Sequence, residues 1–453
     1  MSANANWSAD WEQTHWDAVI IGGGLAGLTA AVLLGSQKKR VIVLEKATRL
    51  GGRAQTTERD GGLLNLGPHA LYQNAEASRI WNALGIEPQG KPLALQNAQL
   101  IEQGQLTELP GSPWKLFTTS LLGFKEKTEF AAFFAGLGRM DTAAWDRTSL
   151  ADFLHARIRS VKVRELLTML ARLSTYSADP AKISAGTALR RMSRGGVLYL
   201  DGGWQSAVRQ LRERAEQLGV VIAAGAQALA VDGALPQLRV ALAGGRALRA
   251  SSVLAAAGPR ETAALLGDGA SAPLQAAAAE RPVQAACLDL VLASLPQPSR
   301  GFALGLDRPL YFSNHSQAAA LTDQPGHAVV HAAKYLSVDE DADADRDLAE
   351  LEHMLDLLQP GWRDRVVTRR YLPHVTVMHA LPTADAGGER GRLACDGTGV
   401  PGFYAAGDWV GGEALLVDAS CASAKTAADL ILAQLRDVPD GREQDAGLAH
   451  RRR

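Results

Sequence analysis

The chain has 453 residues, 47% of them hydrophobic and 21% charged, which is the balance of a globular protein and allows about two to three domains. Its 47 Lys and Arg residues balance 48 Asp and Glu residues, and the net charge of -1 argues against a nucleic-acid partner. The 3 cysteines lie far apart, which excludes a disulfide framework and a paired-cysteine zinc or redox site. The start has no secretory pattern and no run of about 18 apolar residues occurs, so we expect a cytoplasmic protein without a membrane span.

The first strong pattern is a strand–helix–strand unit. Residues 17–21 and 41–44 are continuous apolar runs of the kind found in buried parallel strands. Between them, residues 25–34 contain no proline and no charge, which predicts a helix with Gly35 as its C-terminal cap. This order of elements predicts a parallel βαβ unit.

Three glycines with G-x-G-x-x-G spacing connect the first strand to the helix. Gly22 permits the sharp turn, Gly24 lets a pyrophosphate approach the backbone, and Gly27 lets the helix pack closely on the strand. The amide groups at the helix start would bind the phosphates, and Glu45, at the tip of the second strand, would accept from the ribose hydroxyls. The sequence therefore predicts a dinucleotide site. Its further predicted contacts are Leu25, Ala26 and Lys46.

A second glycine turn follows the acid. Gly51, Gly52 and Arg53 would wrap the far side of the same diphosphate, and an ordinary surface turn with a free arginine is the alternative. Together, VIIGGGLAGLTAA and VIVLEKATRLGGRAQT resemble the flavin-binding start of the amine oxidase and phytoene desaturase superfamily, which includes the protoporphyrinogen oxidases. Similar hallmarks recur along the chain: NLGPHALY at 65–72, GGW at 202–204, GFYAAGDWV at 402–410 and ASCASAKTAA at 419–428.

The resemblance implies that the cofactor is FAD, and it implies further contacts. Gly67, Pro68 and His69 belong to a strand and turn that in this family runs beside the flavin ring. In the C-terminal motif, Gly407 and Asp408 would bind the diphosphate and the ribityl chain. The small-residue helix that follows would approach the isoalloxazine.

The resemblance also implies the fold, which is an α/β protein with two domains. A Rossmann-like FAD-binding domain would be assembled from discontinuous segments, and an inserted α+β domain would bind the substrate above the flavin, protected from water. The predicted FAD-binding segments are 16–89, 195–275 and 395–436, the substrate-binding segments are 90–194 and 276–394, and the tails are 1–15 and 437–453.

Four residues are candidates for the reactive part of the site. His69 would contact the substrate or take part in catalysis, and a structural hydrogen bond to the backbone is the alternative. Trp409 would flank the flavin, or pack in the core. Lys334 lies in an apolar strand, and some flavin amine oxidases use a lysine that holds a water near the flavin, although no motif aligns the two. Asp418 would cap the small-residue helix and bring its start towards the flavin.

The remaining patterns argue against other chemistry. His327 and His331 lie in a predicted strand without a carboxylate partner, so we expect no metal site. Cys395 and Cys421 lie in no recognisable attachment motif, so we expect FAD to be bound non-covalently. No second G-x-G-x-x-G follows a strand, which favours oxygen, a quinone or another electron acceptor over NAD(P).

The most apolar and aromatic part of the predicted substrate domain is the segment 113–137. We expect it to form core or a pocket wall, because charges at Lys115, Lys125, Glu126 and Lys127 interrupt its apolar surface. A weak contact with a membrane surface is the alternative.

The resemblance implies an FAD-dependent oxidoreductase. It would take a hydride from a C–H bond of a small organic substrate, lipophilic or amine-containing, and leave an imine or a new C=C bond. Two alternatives stay open: a polyene isomerase that needs reduced FAD without net oxidation, and a flavin-binding module whose FAD is structural. The sequence determines neither the substrate nor the oligomeric state.

Overall fold

The computed structural model describes residues 7–93 and 97–437. In chain order, the strands are β1 (His15–Ile21), β2 (Val41–Glu45), β3 (Thr56–Arg59), β4 (Gly62–Asn65), β5 (Leu71–Tyr72), β6 (Gly90–Lys91), β7 (Gln99–Glu102), β8 (Gln105–Glu108), β9 (Val197–Leu200), β10 (Val221–Ala224), β11 (Ala228–Ala234), β12 (Gln237–Leu242), β13 (Ala247–Ala255), β14 (Val283–Leu292), β15 (Phe302–Gly305), β16 (Leu310–Asn314), β17 (Ala328–Tyr335), β18 (Val366–Met378) and β19 (Phe403–Ala405). The helices are α1 (Asp10–Gln13), α2 (Leu25–Ser36), α3 (Glu76–Ala83), α4 (Pro113–Thr118), α5 (Phe124–Leu137), α6 (Leu150–Arg157), α7 (Val161–Thr175), α8 (Ala185–Met192), α9 (Gln205–Gln217), α10 (Pro259–Leu266), α11 (Ala272–Ala279), α12 (Ala344–Leu358) and α13 (Leu416–Asp437).

One sheet of 7 strands is built around β1 and β2. Strands β10, β2, β1, β13 and β19 pair in parallel in this order, and β12 and β11 extend the sheet in antiparallel fashion. Helices α2, α9 and α13 cover one face with apolar side chains, while the other face has its own apolar core. Because both faces are covered, β1 and β2 need continuous apolar runs, and the predicted βαβ unit is confirmed.

A second sheet of 7 strands has the order β18–β14–β17–β16–β15–β7–β8. Its pairs are antiparallel except for β15 with β7. Helix α12 packs on one face, and apolar residues of α7 contribute to the core on the other face. The hairpin β3–β4 packs on the second sheet, because β4 contacts both β14 and β17. The mixed parallel and antiparallel architecture confirms the α/β class.

The strands of the first sheet come from three separate parts of the chain, 15–45, 221–255 and 403–405. The domain boundaries stay a prediction. The parts of the predicted tails at 1–6 and 438–453 lie outside the described residues.

One local prediction is wrong. Gly35 does not end its helix, because α2 continues to Ser36. A Cβ on Gly35 would lie 2.8 Å from a methyl group of Val220, so the glycine allows the helix to pack closely on the chain leading into β10. Helices α6 and α7 are separated by extended backbone at Ile158 and Ser160.

The segment 113–137 is only partly the buried wall that its composition predicts. Phe133 is buried, but Trp114, Phe117 and Phe124 are 72%, 70% and 83% exposed. The prediction is wrong for these three residues, because no element within residues 7–93 and 97–437 covers their outer surface. Among the described helices, none is long and apolar enough to cross a membrane.

Candidate active site

A cavity of about 680 Å³ is lined by residues of both large sheets. On the side of the first sheet it lies at the carboxyl ends of β1, β2 and β19, which is where open parallel sheets bind ligands. The predicted residues that line it are Gly22, Gly24, Leu25, Ala26, Glu45, Lys46, Gly51, Gly52, Arg53, Pro68, His69, Gly407 and Asp408. The predicted residues that do not are Gly27, Gly67, Lys334, Trp409 and Asp418.

The glycines of the first turn differ in what surrounds them. A Cβ on Gly27 would lie 1.9 Å from the carbonyl oxygen of Gly22, and a Cβ on Gly22 would lie 2.5 Å from the carbonyl oxygen of Ala256. These two positions therefore require glycine for packing. By contrast, the nearest atom to a Cβ on Gly24 is 4.0 Å away, and for Gly52 it is 3.7 Å away. Gly24 and Gly52 thus leave open space beside the backbone, in the cavity.

Glu45 ends β2 at the rim of this space. Its carboxylate accepts hydrogen bonds of 2.8 Å from the backbone N–H groups of Gly23 and Ala47. These contacts fix the side chain at the glycine turn while the residue still lines the cavity. The position suits a carboxylate that accepts from a ribose.

Asp408 joins three remote parts of the chain. Its two oxygens accept from the Arg53 guanidinium at 2.8 Å each, and from the backbone N–H and Nδ1 of His379 at 3.2 and 3.0 Å. Burial acts to raise the pKa of the Asp408 carboxyl, but the Arg53 charge and the hydrogen bonds from His379 and Arg53 outweigh it and hold the pKa far below its usual range. Arg53 also donates to the Val377 carbonyl oxygen at 2.8 Å, so the residue links the glycine turns to β18.

His69 lines the cavity, and its ring is fixed. Nδ1 donates to the Gly67 carbonyl oxygen at 3.0 Å, and the ring packs edge-on against Trp204 with centroids 5.7 Å apart. Burial lowers the pKa of His69 to about 4, and the nearby charges of His331 and Arg53 act in the same direction. The imidazole is therefore neutral at pH 7, with Nε2 as its acceptor.

Lys334 does not reach the cavity, and its prediction as a reactive residue is wrong. Its neighbours Ala333 and Tyr335 line the cavity, so strand alternation turns Lys334 to the opposite face of the sheet. There its ammonium pairs with Asp347 at 2.6 Å and with Glu350 at 3.1 Å, both on α12.

Trp409 is a packing residue. It is 1% exposed, and its indole N–H donates to the Ala257 carbonyl oxygen at 2.9 Å. The ring thus ties β19 to the end of β13 within the core. Of the two predicted roles, packing in the core is confirmed for Trp409, which does not line the cavity.

Asp418 lies inside the first turn of α13 and does not cap that helix. Its carboxylate accepts from the backbone N–H of Ala77, at the start of α3, and pairs with Arg191 at 3.0 Å. These two contacts hold α3 and α8 against α13. The Asp418 side chain is fully buried and does not line the cavity.

The wall formed by the second sheet was missed by sequence reasoning. It consists of Ala285, Cys287, Ala333, Tyr335, Val375, Thr376 and Val377, from β14, β17 and β18. These residues carry no motif, and only the pairing of three remote strands brings them together. His379 was missed for the same reason, since its partner Asp408 follows it by 29 positions.

The residues present fit a flavin dinucleotide. The open space at Gly24 and Gly52 is a cradle that a Cβ would fill, and it lies at the N-terminus of α2. In addition, buried Trp204 lines the cavity, and its Nε1 has no partner among the described residues. Neither Cys395 nor Cys421 lines the cavity. The described residues contain no group of three or more His, Cys, Asp or Glu that could hold a metal ion.

A model of the family of flavin-containing amine oxidoreductases matches residues 25–432. The chain belongs to this family. Membership supports an enzyme of the FAD-dependent oxidoreductase type. Its membership explains why the glycine turns and the C-terminal motif meet at one cavity.

Individual curated relatives align with shorter parts of the chain than the family model does. A coproporphyrinogen III oxidase of Bacillus subtilis is 28% identical over 181 residues, which are 37% of this chain and 38% of that protein. One of Propionibacterium freudenreichii is 29% identical over 126 residues, 26% of this chain and 24% of that protein. The chain thus matches less than half of the length of these curated relatives.

Solved structures match over the whole fold. An oxidoreductase from Methanosarcina mazei is 17% identical, with a TM-score of 0.73 over 91% of this chain and 99% of its own. Cyclohexylamine oxidase from Brevibacterium oxydans is 17% identical, with a TM-score of 0.70 over 93% of this chain and 100% of its own. At this identity the likeness establishes the fold alone.

Proposed function

We propose that the protein binds one FAD non-covalently in the cavity and oxidises a small, predominantly lipophilic molecule by taking a hydride from one of its C–H bonds. The observation that carries this proposal is that a single cavity joins the glycine cradle of the first sheet to an apolar wall of the second sheet. Bound FAD would supply the hydride acceptor, and the product would be an imine or a new C=C bond.

In this proposal the protein's residues bind the cofactor, orient the substrate and exclude water from the site. The N–H groups at the start of α2 and the open backbone at Gly24 and Gly52 bind the diphosphate, and Glu45 accepts from the ribose. The apolar wall keeps water from the reacting C–H bond. Neutral His69 offers Nε2 as an acceptor for an N–H or O–H group of the substrate.

The absence of a second G-x-G-x-x-G turn supports oxygen, a quinone or another carrier as the electron acceptor. A second partner is a membrane surface, which would touch the aromatic patch formed by Trp114, Phe117 and Phe124. Exposed Lys125 follows Phe124 in the chain and would favour anionic lipids, whereas Lys115 is paired with Glu108. This contact would bring lipophilic substrates to the protein.

Vesicle sedimentation tests the aromatic patch. The protein should bind phosphatidylglycerol vesicles more than phosphatidylcholine vesicles, and replacement of its three aromatic residues by serine should abolish binding. The matched control is Val367→Ser, since Val367 is an exposed apolar residue outside the patch. Equal sedimentation of the wild type with and without vesicles would refute the contact.

Anaerobic titration of the purified holoenzyme tests the reaction. Amines, porphyrinogens and carotenoid precursors are added separately, and the visible flavin band is recorded. One class should bleach the band, with one product formed per flavin reduced. Conversion of a polyene without consumption of an acceptor would instead support isomerisation, and a flavin that no class reduces or requires would support a structural role.

A further inference from the structure

The two walls of the cavity differ in charge. Every formally charged side chain that lines it belongs to the cofactor side: Glu45, Lys46, Arg53, Glu261 and Asp408. The lining residues of the second sheet come from β14, β17 and β18 up to Val377, and they are apolar or uncharged and include Cys287, Tyr335 and Thr376. The substrate side is therefore an uncharged chamber.

Tyr335 holds a buried polar group on this wall. The residue is 3% exposed, and its hydroxyl has no hydrogen-bond partner among the described residues. Its ring packs edge-on against Tyr176, which also lines the cavity, with centroids 5.8 Å apart. Because buried hydroxyls are nearly always paired, this hydroxyl fits a group that a ligand satisfies.

The electrostatic surroundings of Tyr335 favour a donor role. Burial raises the pKa of the phenol, so it keeps its proton throughout the neutral range. The nearby positive charge of Arg172 acts to lower this pKa, but burial outweighs it. Arg172 is itself held in place, since it donates to the Leu306 carbonyl oxygen at 2.6 Å.

We infer that Tyr335 is a specificity-determining residue that donates a hydrogen bond to an uncharged acceptor atom on an otherwise apolar substrate. The acceptor is a carbonyl or ether oxygen, or the nitrogen of an amine in its unprotonated form. This inference rests on the proposed function and narrows it. An ionised carboxylate or ammonium group would lose its hydration in the chamber, because no side chain that lines the wall of the second sheet carries an opposite charge and Arg172 does not line the cavity.

The test measures the binding of three matched probes to the holoenzyme at pH 7. Binding is monitored through the difference spectrum of the flavin. The probes are decanamide, decanoate and decylammonium, which share a chain and differ in the charge of the head group. Decanamide should bind roughly a hundredfold more tightly than either ion. Tyr335→Phe should weaken decanamide binding about tenfold, which is the effect of one lost hydrogen bond, and should leave the ratio between the two ions unchanged.

Tyr371→Phe is the matched control, because this tyrosine lies on the opposite face of the same sheet and donates to the Ala344 carbonyl oxygen. It should bind decanamide as the wild type does. Equal binding of the three probes, no spectral response to any of them up to their solubility limit, or an unchanged Tyr335→Phe would overturn the inference. A normal flavin spectrum and its reduction by dithionite separate this failure from failure of the proposed function, in which no flavin is held.

Discussion

His69 shows how burial sets the charge of a side chain at the site. Its ring is fixed by Gly67 and Trp204, and its pKa is lowered from 6.5 to about 4, mainly by burial. Above pH 6.5 the ring is neutral in both the folded and the unfolded chain. Between pH 6.5 and 4 only the unfolded chain binds the proton, so the folded state loses stability as the pH falls.

Replacement of His69 by glutamine should therefore flatten the acid dependence of stability. For the apoprotein, the free energy of unfolding should fall less between pH 7 and 4.5 in His69→Gln than in the wild type, by at most about 3 kcal/mol. Urea titrations at several pH values measure the difference. Part of the slope should remain in the variant, because burial also lowers the pKa of His315. Parallel slopes in the two proteins would contradict the prediction.

At the scale of elements, the turn between β1 and α2 combines two requirements. Gly27 allows α2 to lie against the strand ends, whereas Gly24 leaves its space open to the cavity. A methyl group added at Gly27 would overlap backbone atoms. One added at Gly24 would occupy only the volume in which a diphosphate would lie. The same motif thus supports folding at one glycine and ligand approach at another.

The two glycines should respond differently to the same substitution. Gly27→Ala should destabilise the apoprotein by about 1–3 kcal/mol or prevent folding, because the new methyl group overlaps a carbonyl oxygen. Gly24→Ala should leave the melting temperature of the apoprotein nearly unchanged but reduce its affinity for FAD. Thermal melts with and without added FAD measure both effects. An apoprotein of Gly24→Ala that unfolds as early as that of Gly27→Ala would show that the open space is not a ligand cradle.

At the scale of the molecule, the cavity is a junction of remote segments. Arg53 from the N-terminal unit, His379 after β18 and Asp408 after β19 meet in one ion pair and hydrogen-bond cluster. The cavity is formed only when all of these segments have folded. Binding of FAD in the cavity should therefore stabilise the whole fold and not a single element.

Saturation with FAD should raise the stability of the apoprotein cooperatively. At a free concentration one hundred times the Kd, the gain should be about 2.7 kcal/mol, and the chain should melt in one transition at a higher temperature. Calorimetry over a series of FAD concentrations measures the shift. Protein that is colourless as purified, and that neither colours nor gains stability with FAD, would contradict both this prediction and the proposed function.

The local part of the site follows from the sequence. Gly22, Gly24 and Glu45 act through backbone geometry and strand position, which depend on residues close in sequence, so their spacing predicts their place. The same is true of the turn at Gly51 and Gly52. Lys334 shows where prediction from the sequence ends. Alternation along its strand assigns the side chain to one face of the sheet, but it does not indicate which face lines the cavity.

The sequence by itself determined the βαβ unit, the glycine turns and the family resemblance, because local spacing and burial on both faces of a parallel sheet restrict which residues can occur. Only the tertiary structure decided that Tyr335 faces the cavity and Lys334 does not, that His379 meets Asp408, and that Trp114 is exposed. These facts depend on the pairing of segments that are far apart along the chain. The residues adjacent to these positions in the sequence do not indicate which remote segment each side chain contacts.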